Sequence, residues 1–274
     1  MLIWSWNQYE LNQGTIKLRK LLDQVMARMA TSTCSRSGTH SSPWRLSRFF
    51  PPLGGGLFGA GTMDFSPGWF QRLHDVSSCL EQCWPKLILG LKKLTDRLYV
   101  STDLRSEAAG DFLRSTYSLS VLCNAMTALV ASQQYDSGQA AIQQIKDSKE
   151  LDSLHPNLGC WHSIWSGFSL IVNWMTPFHQ DPGASAPCFD LLISGGTHSD
   201  CKLELPDIGA TLSYDPGTGV FVTGRVLRHG VKSWSGGERI CLAHFMKDIV
   251  HDRLGQPRPE WTNIDDFLEI AFVA

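Results

Sequence analysis

Apolar residues recur at helical spacing through the first half of the chain and in short, turn-bounded runs through the second. Leu11, Leu18, Leu21, Leu22, Val25 and Met29 predict an amphipathic helix over about residues 8–30, with Lys17, Arg19, Lys20 and Arg28 giving it an excess of positive charge. Residues 31–68 are rich in Ser, Gly and Pro and predict loop or partly mobile chain. Helical spacing returns from Trp69 to about Lys149: Leu80, Cys83, Leu87, Leu91, Leu94 and Leu98 form one stripe, which Pro85 must interrupt or begin. A second helix is predicted from about Leu104 to Ala131 and a third around Gln139–Ile145. No internal repeat marks a solenoid.

After His155-Pro156 the texture becomes that of strands. Apolar runs occur at Trp165–Trp174, Cys188–Ile193, Cys201–Leu205, Thr211–Tyr214, Val220–Thr223, Val226–Val231 and Arg239–Met246, and Asp215-Pro-Gly-Thr-Gly219 is a strong turn signal among them. Short strands with frequent Gly/Pro turns predict an antiparallel barrel or jelly roll. A helix is predicted near Lys247–Leu254, then a Pro-rich tail. The expected organisation is α+β: a helical region over 1–155, including the loop at 31–68, packs on a strand-rich core over 156–274.

Composition narrows the class. An apolar fraction of 43% with ten tryptophans supports a substantial core, and a net charge of −2 excludes nucleic-acid binding by bulk positive charge while leaving room for a local basic face. The eight cysteines form no C-x-x-C pair, which argues against zinc ribbons and thioredoxin-like sites. They read as free thiols, Cys79 and Cys83 on one helix face included, and so as an intracellular protein. The opening Met1-Leu-Ile-Trp-Ser-Trp has neither a basic nor a long apolar leader region, and no window reaches a membrane span.

The sharpest chemical signal lies in the strand-rich half. His179-Gln-Asp181 follows a predicted strand, and on a strand residues i and i+2 share one face. With His229, bordering a later strand, it gives two imidazoles and a carboxylate, the set that holds Fe(II) on one face and leaves positions open. Two of those could take the keto and carboxylate oxygens of 2-oxoglutarate, and a third O2. His198-Ser-Asp200 is a second H-x-D triplet, but it follows Gly195-Gly196-Thr197 with no long strand before it and reads as a solvated hairpin loop. Arg239 stands ten residues after His229 at the head of Arg-Ile-Cys-Leu-Ala-His-Phe245. A cation in a buried strand needs a counter-anion, and its planar fork suits the distal carboxylate of 2-oxoglutarate. The bland alternative is a structural ion pair, to Glu204 or Asp190.

The segments Asn173-Trp-Met-Thr-Pro-Phe-His-Gln-Asp181, Arg228-His-Gly-Val231 and Gly236-Gly-Glu-Arg239 together resemble the 2-oxoglutarate/Fe(II) dioxygenases, and most of all the TET/JBP nucleobase dioxygenases in their fungal branch. The resemblance covers about residues 160–250. It implies a double-stranded β-helix buttressed by N-terminal helices. It also implies oxidation of methyl groups on DNA bases, nuclear location and a monomer acting on duplex DNA. His179, Asp181 and His229 would be the iron ligands and Arg239 the 2-oxoglutarate anchor, with Asn173 and Cys241 beside the cosubstrate. The target base would be flipped out of the duplex and stacked on Phe245; His244, its neighbour, alternates to the other face. Two departures stand out. Cys241 occupies a position where many relatives carry a hydroxyl. The Pro182-Gly-Ala-Ser-Ala-Pro187 stretch lacks the Asn or Asp that relatives use to read cytosine. Both 5-methylcytosine and N6-methyladenine are therefore open as substrates; hydroxylating an N-methyl group gives a hemiaminal that releases formaldehyde.

Gly54-Gly-Gly56-Leu-Phe-Gly59 matches a dinucleotide fingerprint only formally, since it follows Pro51-Pro52 rather than a strand. Arg45 and Arg48, with Trp44, Phe49 and Phe50, mix cations and rings in a way that suits contact with DNA. Lys92-Lys93 and Arg97 form a smaller basic face. Two rivals to a nucleobase oxygenase are a 2-oxoglutarate-dependent hydroxylase of a protein side chain or small molecule, because one core serves many substrates, and a jelly-roll binding protein with a vestigial metal site.

Overall fold

The computed structural model describes residues 2–4, 49–50, 59–68, 99–148 and 156–261. The helices expected over 8–30 and 69–98 lie outside these residues, as do Trp44, Arg45, Arg48 and the Lys92-Lys93 face. Within them the chain mixes helices with two antiparallel sheets, an α+β architecture.

Three helices precede the strand-rich part: α1 (Glu107–Ser115), α2 (Tyr117–Val130) and α3 (Ser132–Asp147). The α1 N-terminus is set by Ser106, whose hydroxyl accepts from the Ala109 N–H at 3.1 Å, while Glu107 and Arg114 complement the helix dipole at its two ends. The single helix predicted over 104–131 is divided at Thr116, whose hydroxyl bonds back to the Phe112 carbonyl and competes with helix propagation. α2 and α3 each bury one stripe, Leu119, Leu122, Cys123 and Val130 on the first, Ala141, Ile142 and Ile145 on the second.

The larger sheet has six strands in the order β1 (Leu2–Trp4), β8 (Gly219–Val222), β5 (Asp190–Gly196), β10 (Arg239–Phe245), β3 (Gly167–Val172), β2 (Gly61–Phe65). The smaller has four, β4 (Thr176–His179), β9 (His229–Val231), β6 (Lys202–Leu205), β7 (Ala210–Ser213). Helix α4 (Asp248–Leu254) follows β10. β10 runs between β5 and β3, paired with both over most of its length. Its side chains therefore separate cleanly by parity. Ile240 and Leu242 enter the helix-facing core with Phe65, Phe112, Trp161 and Phe168, whereas Cys241 and Ala243 face the other way.

β2 corrects the sequence reading. Gly61–Phe65 lies inside the stretch predicted as loop, yet it pairs in register with β3. Phe65 is fully buried, stacked on Phe112 and Phe168 at centroid distances of 5.6 and 5.2 Å. Burial of this ring outweighs a weak local strand signal. Phe49 and Phe50 are corrected by the same core: Phe49 packs edge-on against Phe65 and Phe112, and Phe50 is buried, so neither ring is offered to DNA. The helix centred on Gln139–Ile145 is longer than expected, because Gln134 in its first turn is held by reciprocal hydrogen bonds with the Phe189 backbone, both 2.9 Å. Cys123, Cys160, Cys188, Cys201 and Cys241 carry free thiols. Among the described residues no helix is long and apolar enough to cross a membrane.

Candidate metal centre and cosubstrate pocket

A cavity of about 320 Å³ is lined by residues of both sheets. At one side of it, β4 and β9 pair so that His179 stands directly opposite His229. Their ring centroids are 4.3 Å apart. The Asp181 carboxylate lies between them, Oδ1 at 3.5 Å from His179 Nε2 and Oδ2 at 3.5 Å from His229 Nε2. One ligand atom from each of the three residues falls within 4.8 Å of the others. The Asp181 N–H donates to the Gly224 carbonyl at 2.9 Å, which turns the chain after β4 back toward this point.

The donor chemistry suits a divalent transition metal. Each histidine has Nδ1 within reach of a carbonyl two residues earlier, Pro177 O at 2.9 Å and Leu227 O at 3.1 Å. With the Nδ1 proton engaged there, Nε2 presents its lone pair toward Asp181, the tautomer a metal ligand needs. Burial lowers the His229 pKa, which further favours the neutral ring. Behind the trio sits Asp190, buried, its Oδ2 accepting from the Gly224 N–H at 3.0 Å while Oδ1 has no partner. Burial first, and the charge of Asp181 second, push its pKa well above the usual carboxylate range. Gly224 is confined among these groups: a Cβ there would stand 2.3 Å from Asp190 Oδ2 and 2.7 Å from Asp181 Oδ2.

Arg239 enters the cavity from β10 with 2% of its surface exposed. Nη1 donates to the Trp174 carbonyl at 2.8 Å and the guanidinium lies 5.6 Å from the Trp234 ring centroid. Nε is buried without a partner. The structural ion pairs weighed for it are absent: Glu204 pairs with Lys232 at 2.9 Å, and Asp190 bonds Gly224. No ion pair to Arg239 occurs among the described residues. A desolvated guanidinium with an orphaned donor, facing a cavity, has the chemistry that suits an anion. Cys241 lines the same end, and its Sγ is 3.3 Å from the buried Tyr214 hydroxyl. Tyr214, which the sequence did not flag, thus brings an O–H to the end of the cavity where Cys241 lacks one.

Other expected residues fall less evenly. Asn173 does not line the cavity. Its Oδ1 accepts from the Arg239 N–H at 2.8 Å and its amide bonds Glu238, so it holds the start of β10. It does this from a left-handed backbone, φ 47°. Phe245 and His244 both line the cavity, and the His244 ring also packs on Trp165 and Phe168. His198 corrects the solvated-loop reading of its triplet: it is buried, with Nε2 3.3 Å from both Ser194 Oγ and the Tyr214 carbonyl. Reciprocal bonds between Thr197 and Glu238 pull that turn inward. Asp64, Ser169 and Lys247 also line the cavity, and none was singled out from sequence.

No protein-family model matches the chain, and no curated protein matches it. Among solved structures, NgTET1 in complex with 5mC DNA is similar at 14% sequence identity and a TM-score of 0.43, with 96% of this chain and 100% of that chain covered. At that score the likeness carries no argument about fold or chemistry, and the reading of the site rests on its own geometry.

Proposed function

We propose that the protein is an Fe(II)- and 2-oxoglutarate-dependent dioxygenase that oxidises a methyl group on a DNA base, its two sheets forming a double-stranded β-helix. The observation that carries this reading is the coexistence in one cavity of a His–Asp–His trio and a buried guanidinium with no carboxylate partner. Either alone has ordinary structural explanations. Together they match a metal and a dianionic cosubstrate that bridges to it. Bound Fe(II), with 2-oxoglutarate and O2, would supply the oxidising chemistry.

The chain's own residues have separable tasks. His179, Asp181 and His229 would hold the metal on one side and leave the cavity side open. Arg239 would neutralise the distal carboxylate, with the Tyr214 hydroxyl and Cys241 beside it. Aliphatic Leu192, Leu203 and Val231 line the cavity and keep it poor in water, which strengthens each charge contact. Phe245 would stack on a base that has been flipped out of its duplex.

The test incubates the protein with Fe(II), 2-oxoglutarate and oligonucleotides carrying 5-methylcytosine or N6-methyladenine, and follows both succinate and the modified base by mass spectrometry. Loss of the methyl mark coupled to succinate is expected. Asp181→Ala should lower turnover more than the roughly 10–100-fold typical of changes behind a metal ligand. Succinate produced only with peptides or metabolites would overturn the nucleobase reading, and full activity in Asp181→Ala would overturn the metal site.

A further inference from the structure

The part of the cavity built around Phe245 carries charges of both signs, to which the reading above gives no role. The strand registers put them there: Asp64 on β2 is opposite Ser169 on β3, and Ser169 is opposite Ala243 on β10, between the cavity-lining Cys241 and Phe245. The Ser169 hydroxyl donates to Asp64 Oδ1 at 2.5 Å, and the Asp64 N–H is tied to Asp103 Oδ2 at 2.8 Å. The carboxylate is therefore fixed at one oxygen, with the other left to accept. Phe245 is fixed as well, since it pairs with Gly167 and its ring lies where a Cβ on Gly167 would be, 2.6 Å away. Two residues on, Lys247 places Nζ 4.9 Å from the Phe245 ring centroid, and its N–H donates to Ser166 Oγ at 2.8 Å. Burial draws the Lys247 pKa down to about 8, against the opposing pull of Asp64 and Asp181.

We propose that Asp64 and Lys247 are a specificity-determining acceptor and donor that select the edge of an amino-bearing nitrogen heterocycle, an aminopyrimidine or aminopurine, seated beside Phe245. The inference rests on the nucleobase reading and deepens it. An exocyclic amine donates to Asp64 while the adjacent ring nitrogen or carbonyl accepts from Lys247. An imide edge suits the pair less well, because its one N–H lies between two carbonyl oxygens that would crowd the carboxylate with like charge. A substrate carboxylate or phosphate would meet the same repulsion. The pair would take the place of the missing acid or amide in Pro182–Pro187, with the reading groups arriving from β2 and from the end of β10. Gripping the amine also locates the methyl group, which lies on the neighbouring carbon in 5-methylcytosine and on the amine itself in N6-methyladenine.

The test compares kcat/KM for oligonucleotides carrying 5-methylcytosine, N6-methyladenine or thymine, whose 5-methyl sits on an imide ring. Wild type should favour an amino-bearing base over thymine by about tenfold to a hundredfold, the range for a hydrogen bond to a charged group. Asp64→Asn and Lys247→Met should each remove most of that preference, with the KM for 2-oxoglutarate unchanged. Ser169→Ala, which frees Asp64 Oδ1 without touching either charge, should remove part of it and serves if a charge variant fails to fold; melting temperatures identify that case. Wild type that prefers thymine, or variants that keep the wild-type preference, would overturn the subsite while leaving the nucleobase reading intact. Wild type that oxidises none of the three bases would overturn both.

Discussion

One strand, β10, supplies both Arg239 and Phe245 to the cavity, six residues or roughly 20 Å of strand apart, and the surroundings of the two differ in kind. Among the described residues, Arg239 is surrounded by the strand-rich half: Trp174, Tyr214, Trp234 and Cys241. It is a single buried cation with no carboxylate partner among the described residues. Around Phe245, Asp64 arrives from a strand more than a hundred positions earlier in the chain, and both charges are present. A lone desolvated charge specifies one ligand chemistry. A donor beside an acceptor specifies an orientation. On the proposed reading, the difference separates recognition of a common cosubstrate from selection of a particular substrate along one strand, so that each could be altered without the other.

The largest expected effect breaks the Arg239 end. Arg239→Met should weaken 2-oxoglutarate binding by about thirtyfold to several thousandfold, in line with the 2–5 kcal/mol lost when one partner of a buried charge pair is removed. Without cosubstrate the variant should be no less stable than wild type, because a buried unpaired charge has been replaced by an apolar chain of similar length. Melting curves with and without 2-oxoglutarate on the metal-loaded protein report both quantities. An undiminished cosubstrate-induced shift in the variant would remove the assignment.

A smaller effect is expected between the two ends. Gly224→Ala drives a methyl group into Asp190 and Asp181, so metal affinity, measured by anaerobic titration, should fall about 10–100-fold. The ratio of rates among bases should not move, since Asp64 and Lys247 are untouched. A changed ratio at normal metal affinity would show that the two functions are not separable as described.

The last effect is on the stability of the strand itself. Burial lowers the His244 pKa to about 4, from an ordinary 6.5, where its ring packs on Trp165 and Phe168. As pH falls through 6.5 the unfolded chain takes up this proton and the folded one does not until near 4. Stability is therefore lost across that window, by about 3 kcal/mol in all. Unfolding free energies from urea titrations at pH 7.5 and 4.5 should diverge by most of that amount more in wild type than in His244→Phe, and equal divergence would show that the ring titrates freely.

Much of this was legible in the sequence for a physical reason. The i, i+2 spacing of His179 and Asp181 on a strand end, the later His229 and the lone cation of Arg239 in an apolar run are local patterns, and local geometry is what short spacing encodes. So was the helical character of residues 107–147, though not its division at Thr116 or the full length of α3. The sequence also carried the turn chemistry around Asp215–Gly219 that closes β8 against its neighbours.

Tertiary structure alone decided the rest. Gly61–Phe65 is a strand because Phe65 has a place in a ring-stacked core, and no local signal competes with that burial. His198 is buried because Thr197 and Glu238, far apart in sequence, bond to each other. Asp190, Tyr214, Asp64 and Lys247 reach the cavity through strand register and chain reversal, which depend on pairings between segments far apart in sequence. The sequence by itself determined which groups could hold a metal and an anion. Only the folded chain determined which charges stand in the cavity beside Phe245, because a register shift of one residue would have turned Asp64 to the other face of its sheet.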